Sequence, residues 1–278
     1  MFVSVIIPTF NRALNVESAI RSALAQSYPD FEVIVVDDGS TDETPYILNR
    51  LDSPRLRVLR QANKGVSAAR NAAIEAAQGD MIALLDSDDV FLPGKLAAQT
   101  CFMQEHGLDI SQTREIWIRR GLRVNPMDKH VQPSGWIFSQ CLDMCRISPS
   151  TVMFNRKVWT QAGPFDENLP ACEDYDLWLR VALRFPVGLV EQAYTVKQGG
   201  HADQLSRSFI GLDLFRIRAL LRILDDPVLT EEPRRLVERQ LRRKARILVR
   251  GGLKRGRVVE PMRVKKMVES AIGPIFAK

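Results

Sequence analysis

Residues 81–89 read MIALLDSDD, five apolar residues running into Asp86, Asp88 and Asp89. Carboxylates crowded this closely repel one another, so a cation or a solvated turn has to relieve them. Three runs of the same kind precede this one. VSVIIP (3–8), EVIVVDD (32–38) and RLRVLRQ (55–61) are short, apolar or β-branched, and each closes on a polar cluster. Helical patterns lie between them: VESAIRSALAQ, with Ala19, Ile20, Ala23 and Leu24 on one face, then TPYILNRL, then VSAARNAAIEAA. Strand and helix alternate three times with short connections, which predicts an α/β fold with covering helices built from right-handed βαβ units. Ligands in such sheets bind outside the carboxyl ends of the strands, and those ends carry PTFNR, DDGST, QANKG and DSDD.

Each cluster has a plain reading beside a chemical one. DSDD is good turn chemistry, with Asp88 or Asp89 capping the next segment. Asp86 and Asp88 are also two residues apart at a strand tip, where both carboxylates can face one hard cation that takes oxygen ligands. DDGSTDET makes turns and caps, and Asp38 at the strand end can accept from the edge of a base. NKGVSAARN places Lys64 before a helix and Arg70 on its first turns, an arrangement suited to a diphosphate.

After residue 90 the alternation breaks. A helix is expected over 94–105, a hairpin over TREIWIRRGLRV with Gly121 near its turn, and a strand at SPSTVMF (148–154). A helix follows over 174–184 with Leu177, Trp178, Val181 and Ala182 inward, then a strand over 187–198. From about 209 to 250 the pattern is helical, with Leu236, Val237, Leu241, Ala245, Leu248 and Val249 as a stripe against arginines. Trp159, Phe165 and Trp178 read as core.

An apolar share of 45% over 278 residues supports a sizeable core. No run approaches the roughly 18 residues that a membrane span needs, and MFVSVIIPTFNR reads as a first strand rather than a leader. Cys101, Cys141, Cys145 and Cys172 have no paired spacing for zinc, which predicts reduced thiols in a cytoplasmic protein. Net charge is +6, but residues 234–266 hold fourteen Lys or Arg against Glu238 and Glu260, so a mildly acidic body carries a basic tail. That tail can be a solvated helical face, a contact to an anionic membrane, or a nucleic-acid site. The last is the weakest reading because aromatics are not interleaved with its charges.

VSVIIPTFNR, VIVVDDGSTDET, NKGVSAARNAAI and GDMIALLDSDD, in that order and at those spacings, resemble a family 2 glycosyltransferase of the GT-A fold. GPFDENLPACEDYDLWLR is similar to that family's acceptor-side motif and GGHADQLS to its C-terminal histidine element, so the resemblance covers residues 3 to about 205. It implies a Rossmann-like mixed sheet over 1–208, with a nucleotide-sugar half (1–105) and an acceptor half (106–208), followed by a helical basic extension (209–278).

By the same resemblance, Pro8, Thr9, Asn11 and Arg12 line the nucleotide pocket, Asp38 holds the base, and Lys64 and Arg70 flank the nucleotide. Asp86 and Asp88 form the acidic pair, with Mn²⁺ or Mg²⁺ on the donor diphosphate and His201 as a further ligand or a contact to the diphosphate. Asp174 is the catalytic base, with Asp176 as the fallback. The implied activity is transfer from a nucleotide sugar, UDP by family preference, to a glycan or lipid-linked hydroxyl in bacterial surface-glycan assembly. Such a protein is expected in the cytoplasm or at the inner membrane face, without nucleic acid as a partner. The other class left open is a nucleotide-sugar-binding or partner-binding protein of the same fold without turnover. A nucleotidyltransferase lacks support, since PTFNR stands where its glycine-rich loop is expected.

Overall fold

A computed structural model describes residues 1–125, 127, 130–200 and 211–276. The alternating half forms as its pattern dictates: β1 (Val3–Thr9), α1 (Val16–Leu24), β2 (Phe31–Asp37), α2 (Thr44–Arg50), β3 (Leu56–Arg60), α3 (Val66–Ala76) and β4 (Met81–Leu84). β1 pairs in parallel with β2 and with β4, and β2 with β3, so three polar strand ends and the turn after β4 share one edge. Alternation along β1 sends Val3, Val5 and Ile7 to one core and Ile6 to the other, which is why these strands are apolar on both faces.

The second half makes the sheet mixed. β5 (Val90–Phe91), α4 (Lys95–His106), β6 (Ile110–Arg119), β7 (Leu122–Val124), α5 (Phe138–Cys141), β8 (Val152–Asn155), α6 (Arg156–Ala162), α7 (Glu173–Ala182) and β9 (Gly188–Gly199) follow in order. The strand order is β3-β2-β1-β4-β8-β6-β9-β5, with β7 hairpinned onto β6. β8 runs antiparallel to both β4 and β6, and a short helical turn at 149–151 precedes it and faces the tip of β4. The strand expected over 148–154 therefore starts four residues later, because Ser150 and Thr151 are spent on polar contacts in that turn.

The helical tail resolves into α8 (Asp213–Leu224), α9 (Glu231–Lys254) and α10 (Val259–Ile272). Its apolar stripe is real: Val237, Leu241, Ala245 and Val249 are buried, as are Ile217, Leu220 and Ile223 of α8, in the same core as Tyr175, Leu177 and Trp178 of α7. Phe165 and Trp178 are core residues, as their surroundings in the sequence suggest.

One buried residue runs against pattern. Lys95 is fully buried at the start of α4, its ammonium donating to Gln99 and to the Thr151 carbonyl, and burial brings its pKa down to about 7. The unfolded chain binds that proton up to pH 10.5 and the folded chain releases it from about 7, so stability is expected to rise with pH across this window. The gain is on the order of 3 kcal/mol between pH 7 and 9.5. Urea unfolding across that range should show the rise in the wild type and a flatter line in Lys95→Met.

Candidate active site

The first two loops of the shared edge are tied together by Asn11. Its φ of 51° turns the side chain back so that Oδ1 accepts from the Thr41 and Asp42 amides, while its own amide donates to Ser40 Oγ. The Arg12 amide donates to Thr44 Oγ1. Pro8 stands beyond the last β1–β4 pair, Ile6 with Leu84, so its missing N–H costs no bond on that side. Thr9 is buried, and its hydroxyl finds no hydrogen-bond partner among the described residues.

Asp38 is buried and accepts from the Lys64 amide (2.9 Å), the Gly65 amide (2.8 Å) and Gln61 Nε2 (2.7 Å). It therefore pins the QANKG loop to the end of β2, a structural task that its turn chemistry alone did not reveal. Gly39 makes this closeness possible, because a Cβ there would stand 2.8 Å from the Asn63 amide at a φ of +76°. Lys64 is exposed on the rim.

Arg70, expected beside the nucleotide, is buried. It is 3% exposed, stacks 5.1 Å over the Phe165 ring, and bridges two carboxylates: Nη2 to Asp86 Oδ1 at 2.7 Å and Nη1 to Glu173 Oε1 at 2.8 Å. Burial disfavours its charge, but the two acids outweigh it and hold the guanidinium firmly protonated. The clamp joins the tip of β4 to the first turn of α7, bringing DSDD and CEDYD together across the sheet edge.

The three acids after β4 have different positions. The Asp86 amide donates to Ser150 Oγ, and the second oxygen of its carboxylate has no partner among the described residues. Asp88 is half-buried. Asp89 is buried, accepting from Ser150 Oγ at 2.6 Å and the Gln198 amide at 2.9 Å, so it brackets β9 and the 149–151 turn instead of capping a solvated turn. Burial pushes the Asp89 carboxyl well up, against the pull of Lys197 and with further push from Asp88 and Asp86.

Lys197, on β9, is the residue that sequence reasoning passed over. Its ammonium donates to Ser148 Oγ at 2.8 Å. Burial opposes its charge, yet Glu115, Asp89, Asp86 and Asp174 raise its pKa. The signal was present in AYTVKQ: Lys197 lies two residues from buried Thr195, on the same strand face.

On α7, Cys172 takes the left-handed conformation (φ 63°) before the helix begins, a strained turn for a residue with a Cβ. Glu173, Asp174 and Asp176 occupy the first turn, where the helix dipole favours negative charge. Asp174 Oδ2 accepts from the Cys145 thiol at 3.4 Å, and burial and Asp174 together push that thiol's pKa well up. Asp176 is fully buried on Arg180 (2.8 Å) and on Arg222 of α8 (3.1 Å), which makes it a strut under the helix.

Asp86 and Asp88 offer carboxylate oxygens, the donor type that Mn²⁺ and Mg²⁺ take, and the open oxygen of Asp86 fits such an ion. Among the described residues no group of three His, Cys, Asp or Glu is arranged to hold one, and His201, expected as a further ligand, lies outside the described residues.

The family model for glycosyl transferase family 2 matches residues 4–158, more than half of the chain, and the chain belongs to that family. An uncharacterized glycosyltransferase of Rickettsia felis is 32% identical over 238 residues, covering 82% of this chain and 38% of that protein. The chain thus spans well under half the length of that relative. The Escherichia coli UDP-Glc:alpha-D-GlcNAc-diphosphoundecaprenol beta-1,3-glucosyltransferase WfgD is 32% identical over 180 residues, 64% of this chain and 69% of its own. In fold, the chain matches S. aureus TarS 1–349, solved with UDP-GlcNAc, with a TM-score of 0.79 at 22% identity over 98% of this chain and 82% of that one. The fold is GT-A.

Proposed function

We propose that the protein is an inverting, metal-dependent glycosyltransferase that moves a sugar from a nucleotide-sugar donor, a UDP-sugar by preference, to the hydroxyl of a glycan or lipid-linked acceptor in bacterial surface-glycan assembly. The observation that carries this reading is the Arg70 bridge, which joins the acids of the donor-side strand tip to the acids of the acceptor-side helix. Residues 1–105 serve the donor, 106–208 the acceptor, and 209–278 form the basic extension. The names of two proteins similar to this chain, one solved with UDP-GlcNAc and one named for UDP-Glc and a diphosphoundecaprenol acceptor, support that donor and acceptor class. An acceptor of that kind lies at a membrane, which favours a peripheral position at the cytoplasmic face.

Pro8, Thr9, Asn11 and Arg12 shape the nucleotide pocket with Asp38, and Lys64 approaches the diphosphate from the rim. A divalent cation, Mn²⁺ or Mg²⁺, held by Asp88 with Asp86 and His201, would supply the positive charge that the departing diphosphate needs. Asp174 takes the proton of the acceptor hydroxyl as its oxygen attacks the anomeric carbon, while the sugar–phosphate bond breaks and the diphosphate leaves with the electron pair. One base without a covalent nucleophile means one displacement, so the anomeric centre inverts.

Turnover of a panel of nucleotide sugars with Mn²⁺ or with EDTA tests this. One donor is expected to react, with loss in EDTA, recovery on adding metal, and a fall of about a hundredfold or more in Asp88→Ala. If no donor is bound or consumed with metal present, the chain is a fold relative without turnover.

A further inference from the structure

The basic extension ends in a feature that the transfer reaction does not use. α9 and α10 fold back on each other: Arg242 and Arg246 of α9 donate to the carbonyls of Ile272 and Ile275, and a Cβ on Gly252 would collide with Pro261. The turn between them is the tip of a helical hairpin, and residues 253–260 are exposed without interruption. Four sizeable aliphatic side chains stand in the open there: Val259 is 84% exposed and Val258 56%, with Leu253 and Met262 close behind. Around them are Lys254, Arg255, Arg257, Arg263, Lys265 and Lys266 against two acids, Glu260 and Glu269, the second paired with Lys265.

The charge continues along α9. Six arginines from Arg235 to Arg250 line a trough of about 550 Å³ on the face turned away from the core, together with one acid, Glu238, which pairs with Arg242. With 3.6 residues per turn, Leu253 lies on that same face, so the arginine stripe runs straight to the apolar tip. Arg239 makes no ion pair or hydrogen bond among the described residues, and Arg243 is met only by the exposed Asp143.

We infer that the α9–α10 hairpin tip docks onto a bilayer bearing anionic lipid headgroups, with Val258, Val259, Met262 and Leu253 entering the headgroup boundary and the lysines and arginines meeting lipid phosphates. Exposed aliphatics cost free energy in water and gain it at an acyl boundary, and basic residues beside them add attraction to negative lipid. Nucleic acid would satisfy the charges but leave the aliphatics wet, and the exposed ring nearby, Phe276, is already flanked by Arg250 and Lys265. Among the described residues no helix is long and apolar enough to cross a membrane, so the contact is with its surface. The inference rests on the proposed reaction only for its purpose, delivery of the site to a lipid-linked acceptor.

Docking is measured without donor or acceptor, by co-sedimentation with vesicles of phosphatidylcholine alone and vesicles with about one third phosphatidylglycerol. The expected result is at least tenfold tighter binding to the anionic vesicles, weakened by high salt. Replacing Lys254, Arg255 and Arg257 with Gln together is expected to cost about fivefold each, roughly a hundredfold in all. Val258→Asn with Val259→Asn and Met262→Asn is expected to lose at least tenfold with every charge kept. Circular dichroism of each variant should match the wild type, since the altered side chains are exposed. No anionic-lipid preference, equal binding by the Asn variant, or a tip-dependent affinity for single-stranded DNA exceeding that for vesicles would overturn the inference. Docking without any sugar transfer would sink the proposed reaction and leave this inference standing, and transfer to a soluble acceptor without docking would do the reverse.

Discussion

Asp174→Asn is expected to lower sugar transfer by about a thousandfold or more while nucleotide binding stays within a few fold of wild type. The amide keeps the size and shape of the carboxylate, so Tyr175 and the helix start are undisturbed, but it cannot accept the acceptor's proton. The side chain stands at the first turn of α7, where the Tyr175 amide donates to its Oδ1 at 2.7 Å and fixes the direction of that oxygen. Its neighbours cannot substitute for it. Glu173 is buried on Arg70, and Asp176 is buried on Arg180 and Arg222. Single-turnover transfer separates this from a binding defect, because a lost base lowers the chemical step and leaves the nucleotide dissociation constant in place. Activity near wild type in Asp174→Asn would remove the base from this residue.

Much of this arrangement could be read in the chain before its fold was known, for physical reasons that differ by element. Strands buried on both faces must be apolar throughout, so VSVIIP, EVIVVD and MIALL announce a parallel sheet, and the sheet brings its polar ends to one edge. α7 and the buried stripe of α9 were legible because helical periodicity leaves one face apolar. The two-residue β5 and the split of the tail into three helices were not, because each depends on tertiary pairing or on short turns without a strong local signature. Side-chain partners were harder still. Arg70 read as a cation on the first turns of a helix, suited to a diphosphate, since nothing within α3 says that two carboxylates from residues 86 and 173 will enclose it. Asp38 read as a base acceptor alone, because turn chemistry gives no sign of a loop 26 residues away that also takes its oxygens. Lys197 was hidden by its strand, where one charged residue in an apolar run passes for an edge feature until the acids around it are placed.

Arg70→Met is expected to be the most costly single change to stability, about 3–5 kcal/mol in chemical unfolding, with transfer lost as well. The substitution keeps a side chain able to pack on Phe165, but it strips the counter-charge from Glu173, which is buried beside Asp174, and frees Asp86 from the position in which the clamp holds it. Arg70→Lys should recover little, because one ammonium cannot reach two carboxylates with the parallel fork that a guanidinium offers. The decisive comparison is Arg70→Met with Glu173→Gln. If the cost of the single change comes from an uncompensated buried carboxylate, removing that charge should return a large part of the stability, so the double variant unfolds at higher denaturant than Arg70→Met alone. Transfer should stay low in the double variant, since Asp86 is still unclamped and the donor-side acids no longer keep their place against α7. A double variant no more stable than the sum of its parts would mean that Arg70 matters through packing alone, and the link between strand tip and acceptor helix would then have to be sought in Ser150, Asp89 and Lys197.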